Sequence, residues 1–112
     1  SPQRKSTMRK IDQQLLSAID ERRSFAKGNR STTVLDNGNV EVRFHGHHIA
    51  TVTGRAYIAI NNCGYWTNTT KQILNELLRD IVGYSLYQKN FDWFVSTAQG
   101  DVEYTGGWVE FA

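Results

Sequence analysis

The sequence is poor in the residues that carry most recognisable chemistry. It has one cysteine, Cys63, in 112 residues. A single thiol cannot close a disulfide within the chain or build a thiolate metal cluster. It fits a reducing compartment. The one proline is Pro2, so no interior element is interrupted by that ring. No apolar run approaches the roughly 18–20 residues that span a bilayer. The basic start lacks the apolar stretch of a signal peptide. The phosphate-loop pattern GxxxxGK(S/T) and the dinucleotide pattern GxGxxG are both missing, and Gly106-Gly107 stands for neither. The eleven acidic residues form no recognisable two-metal or glycosidase pair. These absences argue against a membrane span, a disulfide scaffold and a catalytic set. We therefore expect a non-enzymatic protein that needs no cofactor.

What is present suits one folded domain over residues 1–112. Hydrophobic residues make up 39% and charged residues 21%, a balance for a small core with a polar surface. The net charge of +2 hides an asymmetry. Residues 1–30 carry eight basic against three acidic residues, a net +5, while residues 31–112 carry five against eight, a net −3. Residues 1–7 read as a flexible basic arm. Such a region can meet the phosphates of nucleic acid or an acidic protein surface, or it can be a solvated terminus.

Apolar periodicity orders the chain. Ser6 or Thr7 is placed to cap a helix running to about Ala26, with Ile11, Leu15, Ala18 and Ile19 on one face. Thr32–Leu35 favours an extended form, and Asp36-Asn37-Gly38-Asn39 is a turn. Val40, Val42 and Phe44 alternate with Glu41, Arg43 and His45, the period of a half-buried strand. Strands follow around Ile49–Val52 and Tyr57–Ile60, so an antiparallel meander is expected. Ile73, Leu74, Leu77, Leu78 and Ile81 then give the clearest amphipathic helix, with Lys71, Gln72, Asn75, Glu76, Arg79 and Asp80 on its outer face. Thr69 with Gln72 fits a capping box, and Thr67 is a rival cap. Gly83 is a stop. Strands are expected over Tyr84–Gln88 and Phe91–Val95, with a loop over Ala98–Asp101. Residues 102–105 and 108–111 complete about six to eight short strands. The fold class is α+β: an antiparallel sheet with an N-terminal helix and a central amphipathic helix packed on it.

Candidate sites compete with plainer readings. His45, His47 and His48 are imidazoles that can bind zinc or nickel. Strand alternation separates His48 from the other two, so a polar hairpin connection is the better reading and no metal is expected. Cys63 lacks a nucleophile signature and reads as a small buried residue. Trp66 reads as a core plug at the strand-to-helix turn. Thr67, Thr69 and Thr70, with Lys71, lie where free N–H groups at a helix start can accept a phosphate or carboxylate. Tyr84, Tyr87, Phe91 and Trp93 interleave with Gln88 and Lys89. That pattern can stack single-stranded bases, although Phe91 and Trp93 also suit a core.

A resemblance joins several of these pieces. Lys27-Gly28-Asn29 with Thr33 and Val34 comes first. Val42, Phe44, Gly46, Ile49 and Ala50 follow. Next come Gly64, Trp66, Thr67, Thr69, Thr70, Lys71, Asn75, Leu77 and Leu78, and Gln88, Lys89, Trp93 and Val95 close the pattern. Over residues 27–95 this resembles a group of small proteins of bacteriophages and mobile elements. Tyr65 is an insertion in its Gly-Trp pair, and Ile73 stands where the group has arginine. The resemblance implies a phage origin, and with it the cytoplasm of an infected bacterial host.

Two functions remain open. One is nucleic-acid binding, DNA or RNA, in regulation or processing. Arg4, Lys5, Arg9 and Lys10 would supply the electrostatic contacts, and Thr67, Thr69, Thr70, Lys71 and Lys89 a second set. The other is a phage inhibitor that binds a host enzyme or antiviral defence complex by protein contact. A homo-oligomer stays open.

Overall fold

The computed structural model describes residues 9–112. Among them are two helices and nine strands. Helix α1 (Lys10–Asp20) is followed by β1 (Phe25–Lys27), β2 (Arg30–Val34), β3 (Val40–Phe44), β4 (His47–Thr53) and β5 (Tyr57–Ile60). Helix α2 (Asn68–Ile81) leads to β6 (Ser85–Lys89), β7 (Asp92–Thr97), β8 (Gly100–Tyr104) and β9 (Val109–Phe111). The α+β class is as the sequence implies. The strands, however, divide into two antiparallel sheets. One has six strands in the order β1-β2-β3-β4-β5-β9, and the other is the meander β6-β7-β8.

Strand alternation explains how the large sheet feeds the core. Val40, Val42, Val52, Ile58 and Ile60 are fully buried on its inner face. A bulge between Val42 and Arg43 lets Ile49 and Ala50 both turn inward from β4. Against this face lie Leu15, Leu16 and Ile19 of α1 and Ile73, Leu74, Leu77 and Leu78 of α2. The small sheet adds Leu86, Trp93, Val95 and Tyr104 to the same core. Each large side chain so buried stabilises the fold by about 1.5–3 kcal/mol.

Tight turns set the registers. Gly28-Asn29 and His45-Gly46 both take positive φ at their two turn residues, the geometry that matches strand twist. Gly28 is required twice over: its φ is +59°, and a Cβ there would meet Ile11 Cδ1 at 2.1 Å.

Several expectations need correction. Helix α1 ends at Asp20, not near Ala26. Arg22 adopts φ 55°, and its guanidinium bonds the Ile19 carbonyl at 2.6 Å. The chain then turns, and Phe25 reaches the core from β1, paired with Thr32. Arg9, extended at φ −61° and ψ 145°, occupies the N-cap without a side-chain cap bond. The expected caps Ser6 and Thr7 and the expected arm over residues 1–7 lie outside the described residues. Phe91 is not a strand or core residue. It sits in the β6–β7 turn at φ 70° and is 91% exposed. The expected loop over Ala98–Asp101 is a tight turn whose last residues already belong to β8. Among the described residues no helix is long and apolar enough to cross a membrane.

Candidate functional site

The start of α2 organises the surface. Thr67 is extended, and its Oγ1 accepts the Thr70 N–H at 3.2 Å. Thr67 is therefore the cap, and the Thr69–Gln72 box does not form. Gln72 turns away and accepts from Arg9 Nη2 at 3.0 Å. Lys71, the preceding residue, donates Nζ to Gln88 Oε1 on β6 at 2.8 Å. Two amide side chains thus each hold one cation, Arg9 before α1 and Lys71 on α2; Lys89 follows Gln88 on β6, where alternation puts its side chain on the opposite face. The helix N-terminus adds its own positive potential.

The structure brings together some of the sequence-predicted residues. Arg9 and Lys71 both reach the first turn of α2, whereas Lys89 is exposed at the end of β6, opposite Asp92. Arg9 also lies 3.3 Å from Asp12 Oδ2. Lys10 opens a neighbouring polar depression shared with Gln13, Gln14, Arg23 and Lys27. Thr70 is buried and Thr69 partly so; Thr67 is exposed, but its hydroxyl is already bonded to the Thr70 N–H and Oγ1. Arg4 and Lys5 lie outside the described residues. Arg30, counted in the basic N-terminal excess, is buried against Asp12 at 2.8 Å. Arg22 is spent on the Ile19 and Gly54 carbonyls.

Aromatic side chains flank the edge. Trp66 is not the expected core plug. It is 50% exposed and meets the buried Trp93 edge-on at 4.8 Å. Tyr65 is exposed beside it, and Phe91 stands at the β6–β7 tip. Beyond Tyr65 lies a groove of about 300 Å³. Two ring pairs line it: Phe44–His45 with centroids 4.3 Å apart, and His47–Tyr65 at 4.9 Å. Ile49, Asn62 and the threonines of the α2 start complete the lining.

With this geometry in view, comparison with known proteins settles the family. The chain matches the family described as Kyanoviridae Gp96 protein over residues 8–110. It belongs to that family. The phage origin implied by the resemblance therefore stands. No curated protein and no solved structure matches the chain.

The remaining chemistry of this Kyanoviridae Gp96 family member lies elsewhere. His48 bonds Thr51 Oγ1 at 2.8 Å and meets the Trp108 ring at 4.8 Å, while His47 pairs with Tyr65. Among the described residues no three potential ligands converge on a metal position. Cys63 is only partly buried, contrary to expectation, and adopts φ 56°. Burial pushes its thiol up, so it is a poor nucleophile.

Sequence reasoning missed two acid pairs between the helices. Glu76, assigned above to the outer face, is 8% exposed and faces Asp12. Burial, then the contact with Asp12, raises Glu76 to about 8, against the pull of Arg9 and Arg30. Neither Glu76 oxygen has a donor among the described residues; a proton held between the two carboxyls supplies one. Asp80, exposed at the surface of α2, is raised to about 6 by partial desolvation and by its contact with Asp20. The signal was present in the spacing. Asp12 precedes Leu15, Leu16 and Ile19 at three, four and seven residues, which puts it on the buried stripe. Asn62, buried where it lines the groove, gave no comparable signal.

Proposed function

We propose that this phage protein binds nucleic acid without catalysing a reaction, along the edge where Arg9 and Lys71 meet the start of α2, with Lys89 as a separate contact. The single observation that carries the reading is the pair of bonds Arg9–Gln72 and Lys71–Gln88, which bring two cations to the first turn of α2. Lys10 lies next to Arg9, and Arg4 and Lys5 precede it in sequence. Phosphates favour such cations, and the exposed rings of Trp66 and Phe91 offer stacking faces. The reading needs no cofactor and places the protein in the infected host's cytoplasm, with a role in regulation or in DNA or RNA processing.

Fluorescence anisotropy with labelled single- and double-stranded DNA and RNA tests it. Affinity should fall steeply between about 50 and 200 mM salt. Replacing both Arg9 and Lys71 by alanine should reduce the salt slope by about two. No binding to any probe at low salt refutes the reading.

A second reading draws on Phe91, 91% exposed at a hairpin tip, with Trp108 also exposed. Aromatic anchors of this kind suit an inhibitor that binds a host enzyme or antiviral defence complex. A complex recovered with a host protein and resistant to nuclease would favour it.

A further inference from the structure

The two sheets end on strands of opposite charge. Strand β1 closes one end of the large sheet, and β8 closes one end of the small sheet. Four of the five β8 residues are exposed. Val102 lies opposite the buried Val95, yet it is 46% exposed because no strand flanks β8 on its other side. Such an edge presents unpaired backbone groups to a further strand.

The solvent face of the small sheet specifies what it meets. Leu86, Trp93, Val95 and Tyr104 point into the core, so alternation turns Tyr87, Phe94, Asp101 and Glu103 outward. Tyr87, Phe94 and Glu103 form one cross-strand row. The two rings stack with centroids 5.6 Å apart, and Tyr87 Oη donates to Asp101 Oδ2 at 2.5 Å. Asp92 shares this face, with Lys89 opposite it. The face therefore holds three acids and one cation. The ion pairs among the described residues use none of these acids.

The complementary surface lies on the same chain. Lys10, Glu21, Arg23, Phe25 and Lys27 line a depression at the corner of α1 and β1. Arg23 is paired with Glu21 at 3.0 Å, and Lys27 reaches the Gln14 amide at 3.5 Å. Lys10 and Lys27 thus carry the surplus charge of this corner. Like edges repel each other. Joining β8 to β8 sets Asp101 and Glu103 beside their own kind, and joining β1 to β1 does the same with Lys27. The other two terminal strands are engaged. Asn75 Oδ1 of α2 accepts the Leu86 N–H of β6 at 2.8 Å, and Glu110 of β9 accepts from Tyr57 Oη.

We propose that the chain associates head to tail, with the β8 edge and its acidic, ring-bearing face docking the basic α1–β1 corner of a second copy. Lys10 and Lys27 then lie over the Tyr87–Phe94 rings and reach Asp101 and Glu103. A contact between unlike surfaces leaves one of each unfilled at the ends, so it builds a ring or an open chain. The inference is independent of the nucleic-acid reading.

Sedimentation velocity on the nuclease-treated protein tests it, over about a tenfold concentration range and at about 50 and 500 mM salt. At low salt the mass should exceed that of the monomer and rise with concentration. At high salt it should fall to the monomer. Asp101→Asn with Glu103→Gln disables the acidic face, and Lys10→Gln with Lys27→Gln disables the basic corner. Each double variant should be monomeric alone. Mixed together, they should form a complex of one copy of each that grows no further, because one working surface remains on each. A lost fold in either variant would not give that complex. A monomer at every concentration at low salt overturns the proposal. So does association that survives both pairs of substitutions, and so do mixed variants that stay apart.

Discussion

Glu76 keeps a proton to about pH 8 because the helices enclose it with Asp12. The ordinary value is 4.5, so an unfolded chain loses that proton first. Between these values the folded state binds more protons than the unfolded state, and stability must fall as pH rises. Below the lower value the group imposes no penalty; above the upper one the penalty is complete. Glu76→Gln supplies the donor permanently. Its melting temperature should lie above that of the parent at pH 8 and converge with it near pH 4.5, as thermal unfolding across that range would show. Gly28 permits a second prediction. At φ +59° with Ile11 Cδ1 in the way, Gly28→Ala should cost about 1–3 kcal/mol, measured by denaturant unfolding. A lower cost would mean that Ile11 moves aside freely.

Among the elements, α2 was the most legible, because its apolar residues recur at three and four and Gly83 ends it with φ 77°. Its cap was less so. Thr67 and Thr69 are the same residue type two positions apart, and only the extended backbone at Thr67 distinguishes them. Thr67→Ala should therefore cost about 1 kcal/mol, and Thr69→Ala much less; chemical denaturation of both variants compares them. Helix α1 and β1 were harder to read. Phe25 continues the apolar pattern of α1 yet reaches the core from a strand, so periodicity alone could not find the break at Arg22. Phe91 misled for a related reason. Aromatics favour strands, and nothing local announced that this one would occupy a left-handed turn. The antiparallel strands from β2 to β5 were readable because alternation and turn residues agree there. Lys71 and Lys89 were recognisable as cations, but the approach of Arg9 and Lys71 to one helix start depends on how α1, α2 and β6 meet. The groove and Asn62 were invisible for the same reason: their partners come from distant turns.

For the molecule as a whole, the formal charge of +2 matters less than where cations remain free of internal duties. Arg22 and Arg30 serve the fold, and Arg9 is itself paired with the buried Asp12, so of the proposed contacts Lys71, held only by the Gln88 amide, is the freer cation. On the proposed reading, Lys71→Glu should thus weaken nucleic-acid binding several-fold at low salt. The same change at Arg22 would instead register as lost stability, so anisotropy and melting together separate the two roles. The large sheet has a further property. Strand β5 pairs with β9, Ile58 opposite Phe111, although about fifty residues separate them in sequence. At a synthesis rate of ~5–20 residues per second, the edge of β5 stays uncovered on the ribosome for several seconds. During that interval α1 and strands β1 to β5 are already available to pair, while Ile58 and Ile60 lack their last neighbour. On crowded polysomes in an infected cell, nascent copies would be able to join edge to edge, and each chain is protected from that only when Val109–Phe111 arrives.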